Sequence, residues 1–184
     1  MVDTLNYLMA HHDNLPATGQ AKAIVWEHNT HVGDARATDM ARAGMVNVGQ
    51  LVREQHEDEG VVLVGFGSYR GSVIAGQRWG APMERMVVPA AVPHSWESLL
   101  HQTAEGNQLL FSDELRKHAD TLSVRGHRAI GVIYDPRQES RNYVPTILPE
   151  RYDAFLFIDE STALHPLHVA PDADKPPDLY PWGV

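Results

Sequence analysis

Two histidines three residues apart are the side chains of this sequence best suited to chemistry. His28 and His31 stand in the run Trp26-Glu-His-Asn-Thr-His-Val-Gly-Asp34. Imidazoles accept and deliver protons near neutral pH, so such a pair can polarise a water molecule or a carbonyl oxygen. The pair predicts acid–base chemistry with His28 and His31 as the catalytic residues, and the plainer alternative is a polar loop whose histidines are only hydrogen-bonded.

Polar neighbours of the pair supply groups that such chemistry needs. Asp34 can fix the tautomer of an imidazole by accepting a hydrogen bond from a ring N–H. Arg36 offers positive charge to a developing anion. We expect further support and binding residues in the same run and in a later glycine-rich segment, namely Glu27, Asn29, Ser68 and Tyr69.

Other hydrolytic chemistries fit the sequence less well. Zinc could use both histidines, but the spacing is not that of the helical His-Glu-x-x-His motif, and more ligands must come from elsewhere. The chain has no cysteine, and Ser68 directly follows a glycine, unlike the Gly-x-Ser-x-Gly spacing of a serine nucleophile. We expect hydrolysis by an activated water without metal or cofactor, and a zinc-dependent hydrolase remains the weaker alternative.

The apolar pattern places the histidine pair at the end of a strand. Residues Ala23 to Trp26 form a short apolar run that predicts a buried strand, and Val48 to Gln55 has helical spacing. More strands are predicted at residues 61–66, 86–88, 130–134 and 154–158, and a short helix at 95–101. This alternation predicts an α/β fold with a largely parallel sheet and flanking helices. Ligands bind outside the carboxyl ends of such strands.

The segment from Gly65 to Gly71 contains three glycines after a predicted strand. A dinucleotide-binding fingerprint would place the third glycine one residue earlier and would continue into a helix, so a nucleotide cofactor is not expected. We interpret the segment as a sharply bent backbone near a pocket, with Ser68 and Tyr69 at its rim.

The composition of the sequence limits the kinds of molecule that this protein is expected to bind. The net charge of −9 over 184 residues argues against binding to nucleic acid or to an anionic membrane surface. The longest apolar runs are far too short to cross a bilayer, and no secretion signal is visible. We expect a cytoplasmic protein that binds a small molecule, with one domain at residues 1–170 and a proline-rich tail at 171–184.

Several segments together resemble the carboxyl-terminal half of the erythromycin esterase-like proteins. They occur in order, and the Trp-x-His-Asn-x-His signature is the most specific; they comprise residues 21–34, 47–51, 64–67, 79–85, 131–134 and 155–159. The resemblance implies an α/β fold and metal-independent hydrolysis of an ester or macrolactone by a histidine-activated water. It also implies that His28 and His31 match active-site histidines of that family, with macrolide antibiotics as a substrate class.

The sequence departs from that family's pattern at three places. No glutamate is followed by a histidine three residues on, so the family's Glu-x-x-His base motif is missing. Glu27 stands where a small residue is usual, and Asn142 stands where a histidine is expected. We therefore expect a chain that lacks the amino-terminal half and is weakly active or inactive alone. The alternative is a non-catalytic binding or assembly module, such as half of a split enzyme completed by another chain or by a second copy.

Overall fold

The computed structural model describes residues 1–15, 19–103 and 105–165, so the predicted tail lies outside the described residues. The described part is a mixed α/β structure. Its helices are α1 (Val2–Asp13), α2 (Asn29–Val32), α3 (Val48–Gln55), α4 (Trp96–Thr103), α5 (Ser112–Leu115) and α6 (Leu148–Arg151). Its strands are β1 (Val64–Ala75), β2 (Glu84–Val88), β3 (Gln108–Phe111), β4 (Arg125–Arg128), β5 (Tyr143–Thr146) and β6 (Ala154–Ser161).

The strands form one larger and one smaller sheet. The larger has the order β2-β1-β6-β3, and the smaller pairs β4 with β5. Strands β1 and β2 are antiparallel, with Gly71 opposite Val88 and Ala75 opposite Glu84. The predicted α/β class is confirmed, and the β1–β2 pair adds an antiparallel element to the sheet.

Several elements lie where the sequence pattern predicts them. Helix α3 has the predicted bounds, and it begins after Asn47, whose side chain accepts a hydrogen bond from the Gln50 backbone N–H at 3.0 Å. An asparagine in this position caps the otherwise unsatisfied N–H groups of the first turn. Strands β2 and β6 and helix α4 also coincide with predicted elements.

The prediction of a buried strand at Ala23–Trp26 is wrong. These residues have no strand pairing within the described part of the chain, and Ile24 and Trp26 are 96% and 83% exposed. Apolar β-branched residues favour a strand only when a neighbouring strand and a buried face are available. The segment instead leads as irregular backbone into α2.

The strand predicted at residues 130–134 is also absent as a regular element. Only Ile133 forms an isolated parallel bridge, with Gly76, while Tyr134 donates its backbone N–H to the Gly76 carbonyl at 3.0 Å. Val132 is 63% exposed. Gly131 interrupts the run and adds no side chain to bury, so only one rung forms.

The glycine-rich segment is part of strand β1 rather than a bent loop. At Gly71 the backbone φ is +139°, and a Cβ atom there would stand 2.0 Å from the carbonyl oxygen of Ser161. Only glycine permits both that conformation and that close approach. The glycine at position 71 therefore serves packing between strands, which corrects the interpretation of the segment as a pocket rim.

The chain divides into two compact units. Unit 1 comprises Met1–Gly65, Phe111–Val124 and Thr146–Phe155. Within it, Tyr152, Phe155 and Leu148 are almost fully buried, and the rings of Tyr152 and Phe155 lie 5.7 Å apart. Unit 2 comprises Phe66–Leu110, Arg125–Pro145 and Leu156–Val184, and its apolar cluster contains Ala75, Met86, Val88 and Tyr134.

Arg128 organises unit 2 through main-chain and side-chain acceptors. Its guanidinium is 3% exposed and lies 2.7 Å from a carboxylate oxygen of Glu139. It also donates to the carbonyl oxygens of Ser68, Tyr69 and Pro89 at 2.8–2.9 Å. A buried guanidinium is tolerated only when its charge and its N–H groups are satisfied in this way.

Candidate active site

His28 is the residue that caps the amino terminus of α2. Its Nδ1 accepts a hydrogen bond from the backbone N–H of Thr30 at 3.2 Å and lies 2.9 Å from the Thr30 hydroxyl. A backbone N–H can only donate, so Nδ1 must be the unprotonated nitrogen in this contact. The proton of the neutral ring is then on Nε2, which makes Nε2 a hydrogen-bond donor.

His31 lies one turn further along α2 and is exposed. The centroids of the His28 and His31 rings are 6.5 Å apart, and the ring planes are inclined at 76°. Residues three positions apart share a helix face, so α2 brings the two imidazoles together. The structure thus places the predicted catalytic pair side by side in unit 1.

Asn47 holds α2 from outside. Its side-chain amide donates to the carbonyl oxygens of Thr30 and Gly33, at 2.8 and 2.5 Å. The last carbonyls of any helix lack partners within the helix, and a helix of four residues has few internal hydrogen bonds. The same asparagine caps α3, so one side chain joins the two helices.

Gly49 allows α3 to approach α2 closely. A Cβ atom at this position would lie 1.9 Å from the carbonyl oxygen of Val32. Any larger residue would push α2, and with it the histidines, away from α3. The sequence pattern gives no sign of this contact, because it depends on the packing of two helices.

Arg151, at the end of α6, fixes the other side of the turn. It is fully buried and donates from its two terminal nitrogens to the Thr146 hydroxyl at 2.8 Å and to the Asn29 carbonyl at 3.2 Å. Its own carbonyl accepts from the Asp34 backbone N–H at 3.0 Å. Sequence reasoning missed this residue because it lies more than a hundred positions from the histidines.

Asp34 contacts arginines rather than an imidazole. Its carboxylate lies 2.7 Å from Arg36 Nη2 and 3.1 Å from Arg53 Nη1, and its side chain is 4% exposed. Burial raises the pKa of Asp34, but hydrogen bonds from Arg36 and Arg53 outweigh burial and hold the pKa below its ordinary value. The predicted role of fixing a histidine tautomer is therefore replaced by a role in an ion-pair cluster.

Arg36, predicted as electrostatic support, is the half-exposed member of that cluster. Besides Asp34 it pairs with Glu54 at 3.3 Å. Its hydrogen bond to the Asp34 carboxylate raises the pKa of the guanidinium. Its charge is therefore partly neutralised by carboxylates before any ligand approaches.

Glu27 and Asn29 flank His28 as the sequence requires. Asn29 begins α2. Oε2 of Glu27 is buried and has no hydrogen-bond partner among the described residues. A buried carboxylate oxygen without a partner is energetically costly.

Ser68 and Tyr69 belong to β1 in unit 2 and take part in a different network. Their carbonyls accept from Arg128. The Tyr69 ring stacks on His101 with centroids 3.7 Å apart, and Nδ1 of His101 lies 2.5 Å from Asp159. The contacts of these two residues are therefore structural ones within their own unit.

Two further properties concern the described part of the chain as a whole. Within residues 1–15, 19–103 and 105–165, no group of three or more histidine, aspartate or glutamate side chains is arranged to hold a metal ion. No helix in those ranges combines the length and the apolar character needed to cross a membrane.

A family model described as erythromycin esterase matches residues 1–161. The chain belongs to the erythromycin esterase family. The match extends over unit 1 and the described strands of unit 2, and it includes the turn that carries His28 and His31. The resemblance inferred from the motif is thereby confirmed.

Solved structures similar to this erythromycin esterase family member support the fold. A succinoglycan biosynthesis protein has a TM-score of 0.63 and 22% identity, over 90% of this chain and 39% of its own. A Bacillus cereus protein has a TM-score of 0.60 and 18% identity, over 76% of this chain and 33% of its own. A mutant of the erythromycin esterase EreC in its open conformation has a TM-score of 0.56 and 16% identity, over 92% of this chain and 37% of its own.

These similarities describe the fold of the chain and the share of each similar structure that it covers. At 16–22% identity they establish a shared fold and nothing about activity. The chain spans 33–39% of the lengths of these three relatives.

We predict that Gly49→Ala lowers the free energy of unfolding by about 1–3 kcal/mol and shifts the ring resonances of His28 and His31 in NMR spectra. The reason is the 1.9 Å approach of the added Cβ to the Val32 carbonyl. Gly131→Ala is the matched control, because a Cβ there meets no atom within 4 Å. Equal unfolding midpoints for the two variants would contradict the proposed role of this contact.

We predict that Asp34→Asn destabilises the protein by about 1–3 kcal/mol at pH 7, since it weakens the charge-assisted hydrogen bonds that this buried carboxylate accepts from Arg36 and Arg53. The folded pKa of Asp34 is lowered, so its stabilisation is present above the unfolded value of 3.8 and is lost as pH falls through the folded value. Urea unfolding at pH 7, 5 and 3 should show a smaller difference between wild type and variant at pH 3 than at pH 7. Asp113→Asn, at a carboxylate that is 90% exposed, should change little, and a pH-independent difference for Asp34→Asn would refute the assignment.

Proposed function

We propose that this chain carries the histidine part of an ester-hydrolase site, in which His28 and His31 act on a water molecule and on the acyl oxygen of an ester or macrolactone. The observation that carries the proposal is the side-by-side placement of the two rings, 6.5 Å between centroids, on a turn held by Asn47 and Arg151. Membership of the erythromycin esterase family supports hydrolysis as the reaction class.

His28 is assigned to the acyl oxygen. With Nδ1 accepting from the Thr30 N–H, the proton of the neutral ring is on Nε2, and we assign this N–H to the oxygen that gains negative charge. Stabilisation of that charge is usually the largest contribution to acyl hydrolysis. The cap fixes the orientation of the ring before substrate binds.

His31 is assigned to the water. Its ring is exposed, so it can take a proton from a bound water and return it to solvent. Attack by water agrees with the absence of cysteine and of a Gly-x-Ser-x-Gly segment from the sequence.

We predict that His28→Asn lowers kcat/KM for erythromycin and for an aryl ester by about a hundredfold or more. Asparagine is itself a good amino-terminal cap, so the variant removes the imidazole while keeping α2 in place. His118→Asn, at an exposed histidine outside the turn, is the matched control. An unchanged rate for His28→Asn would eliminate the catalytic assignment.

Binding measured by NMR tests the same site if hydrolysis is too slow to measure. Ring resonances of His28 and His31 should shift when wild type is titrated with erythromycin, and the His31 response should diminish in the His28→Asn variant. Ligand-induced shifts that spare both rings would count against the site even if hydrolysis cannot be measured.

A second candidate function is that of a partner in a split enzyme, and one observation favours it. The apolar segment just before Glu27 and His28 has no strand pairing among the described residues, and the side chains of Ile24 and Trp26 are exposed. Exposed apolar side chains beside a site offer a surface on which another polypeptide can pack. The sequence also has no Glu-x-x-His base motif, which such a polypeptide would supply.

We predict that a polypeptide carrying a Glu-x-x-His segment from a family relative raises the hydrolysis rate when mixed with this chain. The double variant Ile24→Ser, Trp26→Ser should lose both this response and the association seen by analytical ultracentrifugation. Val132→Ser, at a valine of unit 2 that is 63% exposed, is the control for loss of exposed apolar surface. Association that survives the double variant would exclude this segment as the docking surface.

A further inference from the structure

A cavity of about 280 Å³ in unit 1 collects three arginines from separate elements of the fold. Arg36 comes from the short 3-10 helix Ala35–Ala37, Arg53 from α3, and Arg116 follows α5. The complete lining is Asp34, Arg36, Ala37, Arg53, Arg116 and Glu150. The lining thus contains three permanent positive charges and two carboxylates.

Two of these arginines are held in place by buried or half-buried acceptors. Arg53 is 19% exposed and contacts Asp34 at 3.1 Å, Asp153 at 2.8 Å and the carbonyl of Glu150 at 3.2 Å. Asp34 also pairs with Arg36, so the negative charge of Asp34 is shared between two guanidinium groups. This carboxylate therefore repels an incoming anion much less than an unpaired one would.

Of the three arginines, Arg116 is the one whose positive charge is least neutralised by neighbouring carboxylates. Its carboxylate partner is Asp113, three residues earlier and 90% exposed, at 2.8 Å. An exposed ion pair of this kind contributes little and is readily exchanged for another anion. Arg116 also donates to the carbonyl of Pro149 at 2.5 Å, which fixes its position, and a guanidinium has five N–H donors, so further donors remain for a ligand.

We propose that this cavity binds an oxyanion, the carboxylate or phosphate group of a small molecule, with Arg116 and Arg36 as the donors. Planar guanidinium groups suit the two-oxygen geometry of such anions. A volume of about 280 Å³ lies just below the roughly 300–1,000 Å³ of pockets for whole drug-sized ligands, so it suits a charged group of a molecule. This inference stands apart from ester hydrolysis, because its test measures anion binding alone.

The negative charge of Glu150 repels an anionic ligand, so removal of this charge tests whether the cavity binds an anion or a cation. Glu150 is exposed, and it belongs to the lining of the same cavity. An oxyanion site should bind more tightly once this negative charge is removed, whereas a site for a cationic group should bind more weakly.

The experiment measures binding of inorganic phosphate and of acetate to the full chain by isothermal titration calorimetry, at constant ionic strength maintained with sodium chloride. We expect saturable binding of at least one anion, and the stronger of the two identifies the phosphate or the carboxylate source. Arg116→Gln should weaken binding about tenfold or more, as expected for loss of a charge-assisted contact. Arg137→Gln is the matched control, because Arg137 is 87% exposed in unit 2 and pairs with Asp135.

Glu150→Gln keeps the test decisive should Arg116→Gln fail to fold. This change at an exposed side chain should strengthen anion binding severalfold. Weaker binding after Glu150→Gln, unaltered binding after Arg116→Gln in a folded protein, or no saturable binding of either anion would each overturn the proposal.

Discussion

A helix of four residues cannot hold its own shape, and the geometry of the histidine pair depends on how α2 is held from outside. Asn47 satisfies two of its carbonyls, and Arg151 reaches the carbonyl of Asn29 from the other side. Gly49 permits the backbone contact that brings α3 against this turn. The chemistry assigned to His28 therefore depends on three residues outside the histidine pair, because they fix the position of the turn that carries the ring.

The ion pairs around Asp34 join distant stretches of the chain within unit 1. Arg53 links the turn after the histidines to Asp153, whose carboxylate also accepts from the Leu63 backbone N–H at 2.7 Å. Three distant stretches of chain thus meet at two carboxylates and one guanidinium. Such clusters are stable only when every charge has a partner, which explains why Asp34 is unavailable to an imidazole.

Patterns among neighbouring residues predict some structural features of this protein but not those that depend on residues distant in the sequence. The bounds of α3 could be predicted because apolar spacing acts within a few residues, and the histidine pair because its motif is contiguous. The strand predicted at Ala23–Trp26 does not form, because a strand needs a neighbouring strand to pair with and the sequence does not identify one. Gly71 and Arg151 were missed or misread because the atoms that explain them lie far along the chain.

Arg128 meets Ser68, Tyr69 and Pro89 only through their main-chain oxygens. A carbonyl is the same in every amino acid, so this recognition ignores which side chains stand at those three positions. Substitutions at these three positions leave the acceptors of Arg128 in place, whereas substitution of Arg128 removes all three hydrogen bonds at once.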